Sequence, residues 1–221
     1  QARLLLPGPL ASLKKRFPDL AVHLLPSGYR EAIEMIETGA AHLALVSHVE
    51  PPARRDICLP IYRWNLIGIL PKGHRPELRR VPLAIGDLAY VPLVTYESML
   101  ERETSFADVF RSAGIEPNLA FTAPDTDTVK TYVRAGMGLG IVAEFALSRH
   151  DAADLDVIDL GGLFQTRTTW AVILRQQVIP AYLLEALRLI APRLDVQAIW
   201  NEEAVMSPLD WREMDFVTLP A

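Results

Sequence analysis

Along the chain, short apolar runs bounded by turn residues alternate with stretches in which apolar residues recur at helical spacing. Residues 1–16 carry Leu6, Leu10 and Leu13 at that spacing, with Phe17 after them. The stretch ends in Lys14, Lys15 and Arg16, where cations complement a helix dipole, and Pro18-Asp19 then stops it. The run LAVHLL at 20–25 predicts a buried strand, and Ser27 is the candidate N-cap of a helix over 30–38 that Gly39 ends. Further strands are predicted at 42–47, 57–62, 66–70, 92–96, 119–122, 139–142, 157–160 and 168–174. Further helices are predicted at 104–113, from Asp125-Thr126-Asp127 to about 135, and at 180–194. After Asp195 the pattern is a loose mixture of helix and extended chain.

Strands alternating with helices predict parallel α/β sheets. The punctuated segment 71–76 reads as a chain crossing and 175–178 as its return. The expected fold is therefore α/β, with two Rossmann-like subdomains over 1–221: subdomain I about 1–72 plus 177–221, subdomain II about 73–176. Such a pair makes a clamshell with a cleft between the lobes, and ligands in such folds bind near strand C-termini and helix N-termini.

Composition removes several function classes. With 22 Lys+Arg against 27 Asp+Glu the net charge is −5, which disfavours gripping phosphate backbones over a broad face. Cys58 is the only cysteine, so neither a disulfide framework nor a multi-cysteine metal site is available, and it reads as a small core residue. His23, His42, His48, His74 and His150 show no metal-ligand spacing. The apolar start is interrupted by Pro7 and Pro9 and followed, rather than preceded, by basic residues, which is not a secretory signal. No run approaches the ~20 apolar residues that span a bilayer. The reading is a soluble, cytoplasmic chain without a membrane partner, and the start at Gln1 suggests a piece of a longer protein.

Catalytic patterns are absent too. There is no G-x-S-x-G elbow and no P-loop. Gly136-Met137-Gly138-Leu139-Gly140 follows a helix and leads into a strand, the reverse of a dinucleotide fingerprint, so it reads as a tight turn. No nucleophile–base pair stands out. The expectation is a protein that is not an enzyme, with no catalytic residue, no metal and no cofactor.

What remains are small polar residues at strand ends and helix starts, where backbone N–H groups are exposed. Gln1 opens the first helix. Ser27 follows one strand and Ser47 ends another, Tyr96 and Ser98 follow PLVT, and Thr122 and Thr126 lie around the start of the helix near 126. Each alone is an ordinary cap or loop residue. In a clamshell they converge on one cleft, which makes them candidate ligand-binding residues.

The stretch 121–142, FTAPDTDTVKTYVRAGMGLGIV, resembles the effector-binding domain of LysR-type transcriptional regulators. The opening QARxxLP, IYRWN at 61–65 and PLVTY at 92–96 resemble its CysB/Cbl-like subfamily, and the likeness runs from Gln1 to about Leu194. The resemblance implies a periplasmic-binding-protein-like pair of lobes and a winged helix-turn-helix absent from this chain. It implies homodimers and tetramers, and contact with promoter DNA and RNA polymerase only through the full-length protein. It further implies control of sulfur and cysteine metabolism through a small-molecule effector, an acetylserine-like amino acid or a small anion.

In that subfamily a Thr-x-Thr-Gln lines the cleft, of which Gln1 is the last residue, and Ser47 keeps the hydroxyl of a strand-end threonine. A Gly-Phe-Thr-Gly-Arg segment is replaced here by MLERE at 99–103. The resemblance thus puts Glu101 near the anion, where a carboxylate repels sulfate and suits an ammonium group. Either Glu101 turns to solvent, or the effector carries a cation; a small zwitterion or carboxylate, rather than sulfate, is the expected ligand. Helices 1–16 and 126–135 are candidates for the dimer interface. The rival reading is a free-standing solute-binding protein of a transporter.

Overall fold

The structure is a computed structural model that describes residues 2–52, 57–79, 82–100, 105–175, 179–192, 209–210 and 212. The chain divides into two compact units, one running to Arg63 and resuming at Arg167, the other spanning Trp64–Thr166. In chain order the helices are α1 (Ala2–Leu5), α2 (Pro7–Arg16), α3 (Tyr29–Glu37), α4 (Ser105–Ser112), α5 (Thr126–Arg134) and α6 (Ala181–Ile190). The strands are β1 (Ala44–His48), β2 (Ile57–Trp64), β3 (Leu66–Pro71), β4 (Leu93–Tyr96), β5 (Leu119–Ala123), β6 (Leu139–Ala143), β7 (Leu155–Ile158), β8 (Arg167–Ile173) and β9 (Leu209–Asp210).

The first unit holds a four-stranded sheet in the order β1-β8-β2-β9. Its core forms because α3 repeats apolar residues at helical spacing: Ala32 and Ile36 pack on Ala44, Val46, Trp170 and Val172 of β1 and β8. Cys58 is half-buried against the same cluster, and its Sγ lies 3.5 Å from the Pro52 carbonyl oxygen. The first predicted helix is two, because Pro7 is tolerated only in a first turn and starts α2 after a bend at Leu6. Basic residues close α2 as expected, and Arg16 reaches Glu185 of α6 at 3.0 Å.

The second unit holds a five-stranded sheet in the order β5-β4-β6-β3-β7. One face of α5 presents Val129 and Val133 to Ile69, Val94 and Val142 of this sheet. Phe106 and Phe110 of α4 pack with Phe164, with ring centroids 5.5 and 6.4 Å from it. The glycine-rich segment is a helix-to-strand turn. Gly138 has φ +154 and lies so close to Pro92 that a Cβ there would stand 2.2 Å from the Pro92 carbonyl oxygen, which accepts the Leu139 N–H. Among the described residues no helix is long and apolar enough to cross a membrane.

The α/β fold with two separate sheets is as expected, but several details differ. The sheets are mixed: β4 runs parallel to β5 and β6, whereas β3 is antiparallel to β6 and β7, and β8 to β1. The antiparallel strands are those at the crossings, where the chain enters one unit directly from the other without a helix to reverse it. The crossings also come earlier than the 71–76 and 175–178 punctuation suggests. Pairing of β3 with β6 and β7 places it in the second unit, and pairing of β8 with β1 places it in the first, the reverse of the sequence assignment.

Residues 20–25 form no strand. Val22, Leu24 and Leu25 are 44%, 55% and 54% exposed, and no strand among the described residues lies beside them to take their hydrogen bonds. Ser27 is not the cap of α3; Gly28 is, with no side-chain bond. The tail beyond Asp195 lies outside the described residues except at β9 and Arg212, and β9 pairs in parallel with β2.

Candidate functional site

Parallel pairing puts the C-terminal ends of β4, β5 and β6 at one edge of the second sheet, which is where open α/β sheets offer binding positions. Tyr96 and Ala123 are register partners at that edge, and α5 starts three residues beyond Ala123. The Tyr96 hydroxyl lies 2.6 Å from Thr126 Oγ1 and accepts the Ala143 N–H at 3.2 Å. Two of the expected site residues, Tyr96 and Thr126, are thus joined by a short hydroxyl–hydroxyl bond. Asp125 caps α5, its Oδ1 accepting the Thr128 N–H at 2.9 Å and its Oδ2 the Thr128 hydroxyl at 3.1 Å. The helix start that could greet a ligand anion therefore already carries a carboxylate.

The other expected residues of this unit are not in that cluster. Thr122 pairs with Thr95, and strand alternation turns it to the opposite face from Phe121 and Ala123. Ser98 is exposed in the short turn Glu97–Leu100. Glu101 lies outside the described residues.

In the first unit Ser47 is half-buried one residue before the end of β1, with its Oγ 3.3 Å from Thr169 Oγ1 on the paired strand. Thr169 is fully buried; burial pushes the Tyr62 hydroxyl pKa up, and the Thr169 side chain opposes that rise. The next residue, His48, stacks on Tyr29 at the start of α3, with ring centroids 4.9 Å apart. The Trp170 indole N–H donates to the His48 carbonyl oxygen at 3.2 Å. Ser27 is exposed just before this helix start, and Gln1 lies outside the described residues.

Sequence reading missed Thr169, Tyr29 and His48. Thr169 lies 122 positions from Ser47, and only the strand pairing brings them together. It also missed an ionic network between α5 and residues 151–154. Lys130 Nζ lies 2.7 Å from Asp151 Oδ2, and Arg134 contacts Asp151 and Asp154 at 2.8 and 2.6 Å. Burial works against the charged form of Asp151, yet Lys130, the Ser148 N–H, Arg134 and the Ser148 hydroxyl together hold its carboxyl well below the usual range. Arg134 also lowers Asp154 and is itself raised, first by its hydrogen bond to Asp154. This network anchors the turn 148–154 to α5. No group of three or more His, Cys, Asp or Glu among the described residues is placed to hold a metal ion.

Comparison with known proteins agrees with this architecture. The LysR substrate binding domain family matches residues 1–195. The regulator CysB of Burkholderia cenocepacia is 30% identical over 199 residues, covering 90% of this chain and 63% of that protein. CysB of Haemophilus influenzae is 33% identical over 205 residues, covering 92% of this chain and 62% of that protein. The chain therefore spans less than two thirds of the length of these relatives. The crystal structure of the cofactor-binding domain of the Cbl transcriptional regulator superposes with a TM-score of 0.77 at 27% identity, covering 91% of this chain and 88% of that one. These relatives are transcriptional regulators rather than enzymes. The chain belongs to the LysR substrate binding domain family.

Proposed function

We propose that this chain is the effector-sensing part of a LysR-type regulator of sulfur or cysteine metabolism, and that its effector is a small acetylserine-like amino acid. The observation that carries the reading is the hydroxyl pair Tyr96–Thr126 at the C-terminal edge of three parallel strands, with the Asp125 carboxylate beside it. Hydroxyls serve a ligand carboxylate or acyl oxygen as donors. Asp125, exposed at the helix start, serves an ammonium group and disfavours a bare dianion such as sulfate. In the first unit Ser47, half-buried near the end of β1, offers a further hydroxyl, braced by the buried Thr169. The kinship with CysB and Cbl supports the sulfur assignment.

Within this reading the full-length protein is cytoplasmic and forms homodimers or tetramers. It meets promoter DNA and RNA polymerase through parts beyond this domain. Effector binding shifts the population of its conformations.

Calorimetry of the chain with O-acetylserine, N-acetylserine, sulfate and thiosulfate tests the proposal. An acetylserine binding more tightly than sulfate is the expected result. Tight sulfate binding with silent amino acids overturns the choice of effector, and silence from all four overturns the sensing role.

A further inference from the structure

Both passages of the chain between the units are tied together inside the second unit. Asn65 stands just after the first passage, between β2 and β3, and Thr166 just before the second, where β8 begins. The Thr166 hydroxyl donates to Asn65 Oδ1 at 2.8 Å, across 101 positions of sequence. The Asn65 backbone N–H donates to Glu144 Oε1 at 2.8 Å, and its Nδ2 lies 3.3 Å from the same oxygen. The Glu144 N–H returns a bond to the Asn65 carbonyl oxygen at 3.0 Å. The asparagine amide is therefore used on both sides, its oxygen by Thr166 and its nitrogen by Glu144.

Glu144 directly follows Ala143, whose N–H donates to the Tyr96 hydroxyl that contacts Thr126. The Tyr96–Thr126 pair is thus bonded to Ala143, one peptide from the knot. Rearranging two units joined by two passages requires both passages to bend, and a tie between them makes them bend together.

We propose that Asn65, Glu144 and Thr166 form a latch that ties the two interunit passages to each other, and that a ligand at the Tyr96–Thr126 end acts on this latch. The coupling to ligand rests on the effector-sensing reading above; the latch itself does not. Asn65 is a positioning residue here, acting through Glu144.

Thr166 is exposed, so Thr166→Val removes the tie with little consequence for folding, and Thr166→Ser keeps the hydroxyl. Hydrogen exchange of the amides of Asn65 and Glu144 reads the latch. Calorimetry with O-acetylserine reads its coupling. In Thr166→Val both amides should exchange about two- to tenfold faster, and the Kd should rise by a similar factor, the size expected for one modest hydrogen bond. Thr166→Ser should restore both. Unchanged exchange in Thr166→Val, or failure of serine to restore it, overturns the latch. Faster exchange with an unaltered Kd overturns the coupling. If the unmodified chain binds neither acetylserine nor the anions, the sensing reading fails while the exchange comparison still decides the latch.

Discussion

Lys130 and Asp151 form a buried ion pair, Nζ to Oδ2 at 2.7 Å, with the residues only 6% and 5% exposed. The pair lies between α5 and the turn that follows β6. Asp151 is further satisfied by the Ser148 N–H and hydroxyl at 2.8 and 2.9 Å and by Arg134. Breaking a buried pair from one side strands the other charge, which costs far more than a surface pair is worth. Asp151→Asn leaves Lys130 with Asp127, at 3.8 Å, as its remaining carboxylate among the described residues, and should destabilise the chain by about 3 kcal/mol in urea unfolding. Lys130→Met fills the same volume and leaves Asp151 its other partners, so its cost should be clearly smaller. Equal losses would show that the pair does not have this asymmetry.

The same network predicts the acid response. Asp151 has a folded-state pKa held below its unfolded value of about 3.9. A depressed carboxyl contributes stability that is fully present above the unfolded pKa and lost as pH falls through the folded one. Stability should therefore be flat from about pH 7 to 5 as far as this group is concerned, and fall below about pH 4. Asp151→Asn should reduce that slope without abolishing it, because Asp154 is lowered too, chiefly by its hydrogen bond to Arg134. Unfolding titrations of both proteins between pH 7 and 2 give the two slopes; identical slopes would contradict the assignment.

Much of the fold was legible because it rests on local rules. Asp125 caps α5, Gly39 and Gly114 end helices with φ +73 and +68, and apolar spacing locates α3, α5 and α6. What failed depends on distant partners. LAVHLL has the composition of a strand, yet a strand exists only where a neighbouring strand takes its hydrogen bonds. Lys130 and Arg134 read as ordinary surface charges at helical spacing, and nothing near them shows that Asp151, 21 positions on, folds over Lys130. Asn65 lies within the IYRWN motif, where its resemblance to a subfamily was visible, but its bonds to Glu144 and Thr166 span 79 and 101 positions. Of the candidate site, Tyr96 and Thr126 were singled out by their places at a strand end and a helix start, and the structure brings their hydroxyls into contact. Thr169 was missed because it begins no element and follows no turn.

The glycines at the start of β6 and just before it yield a graded pair of substitutions. A Cβ at Gly140 would meet Ile69 Cγ1 and Val133 Cγ2, each at 2.6 Å, so these buried side chains, rather than backbone, must shift. Gly140→Ala should cost about 1–3 kcal/mol, as overpacking of a close helix–strand contact does. At Gly138 the obstacle is the Pro92 carbonyl oxygen at 2.2 Å, and the backbone already has φ +154. Gly138→Ala must push β4 and β6 apart or break the 2.8 Å bond from Leu139 to Pro92, so it should be the more damaging of the two. Urea midpoints ranking them the other way would contradict the close approach.

At the candidate site the Tyr96 hydroxyl has two duties, accepting the Ala143 N–H and holding Thr126 at 2.6 Å. Tyr96→Phe removes both and orphans an amide on a residue that is 5% exposed, a loss of about 1–3 kcal/mol. Thr126→Val removes only the second, and the phenol keeps its amide, so stability should fall by less than about 1 kcal/mol. Affinity should not follow stability, because in this reading the Thr126 hydroxyl meets the effector directly. Thr126→Val would then weaken O-acetylserine binding by about tenfold, the worth of a good ligand hydrogen bond, in a protein that remains nearly as stable as the parent. Parallel unfolding and calorimetric measurements on the two variants separate these roles. A Thr126→Val protein that binds O-acetylserine as tightly as the parent would show that the hydroxyl pair braces the strand end and takes no part in recognition.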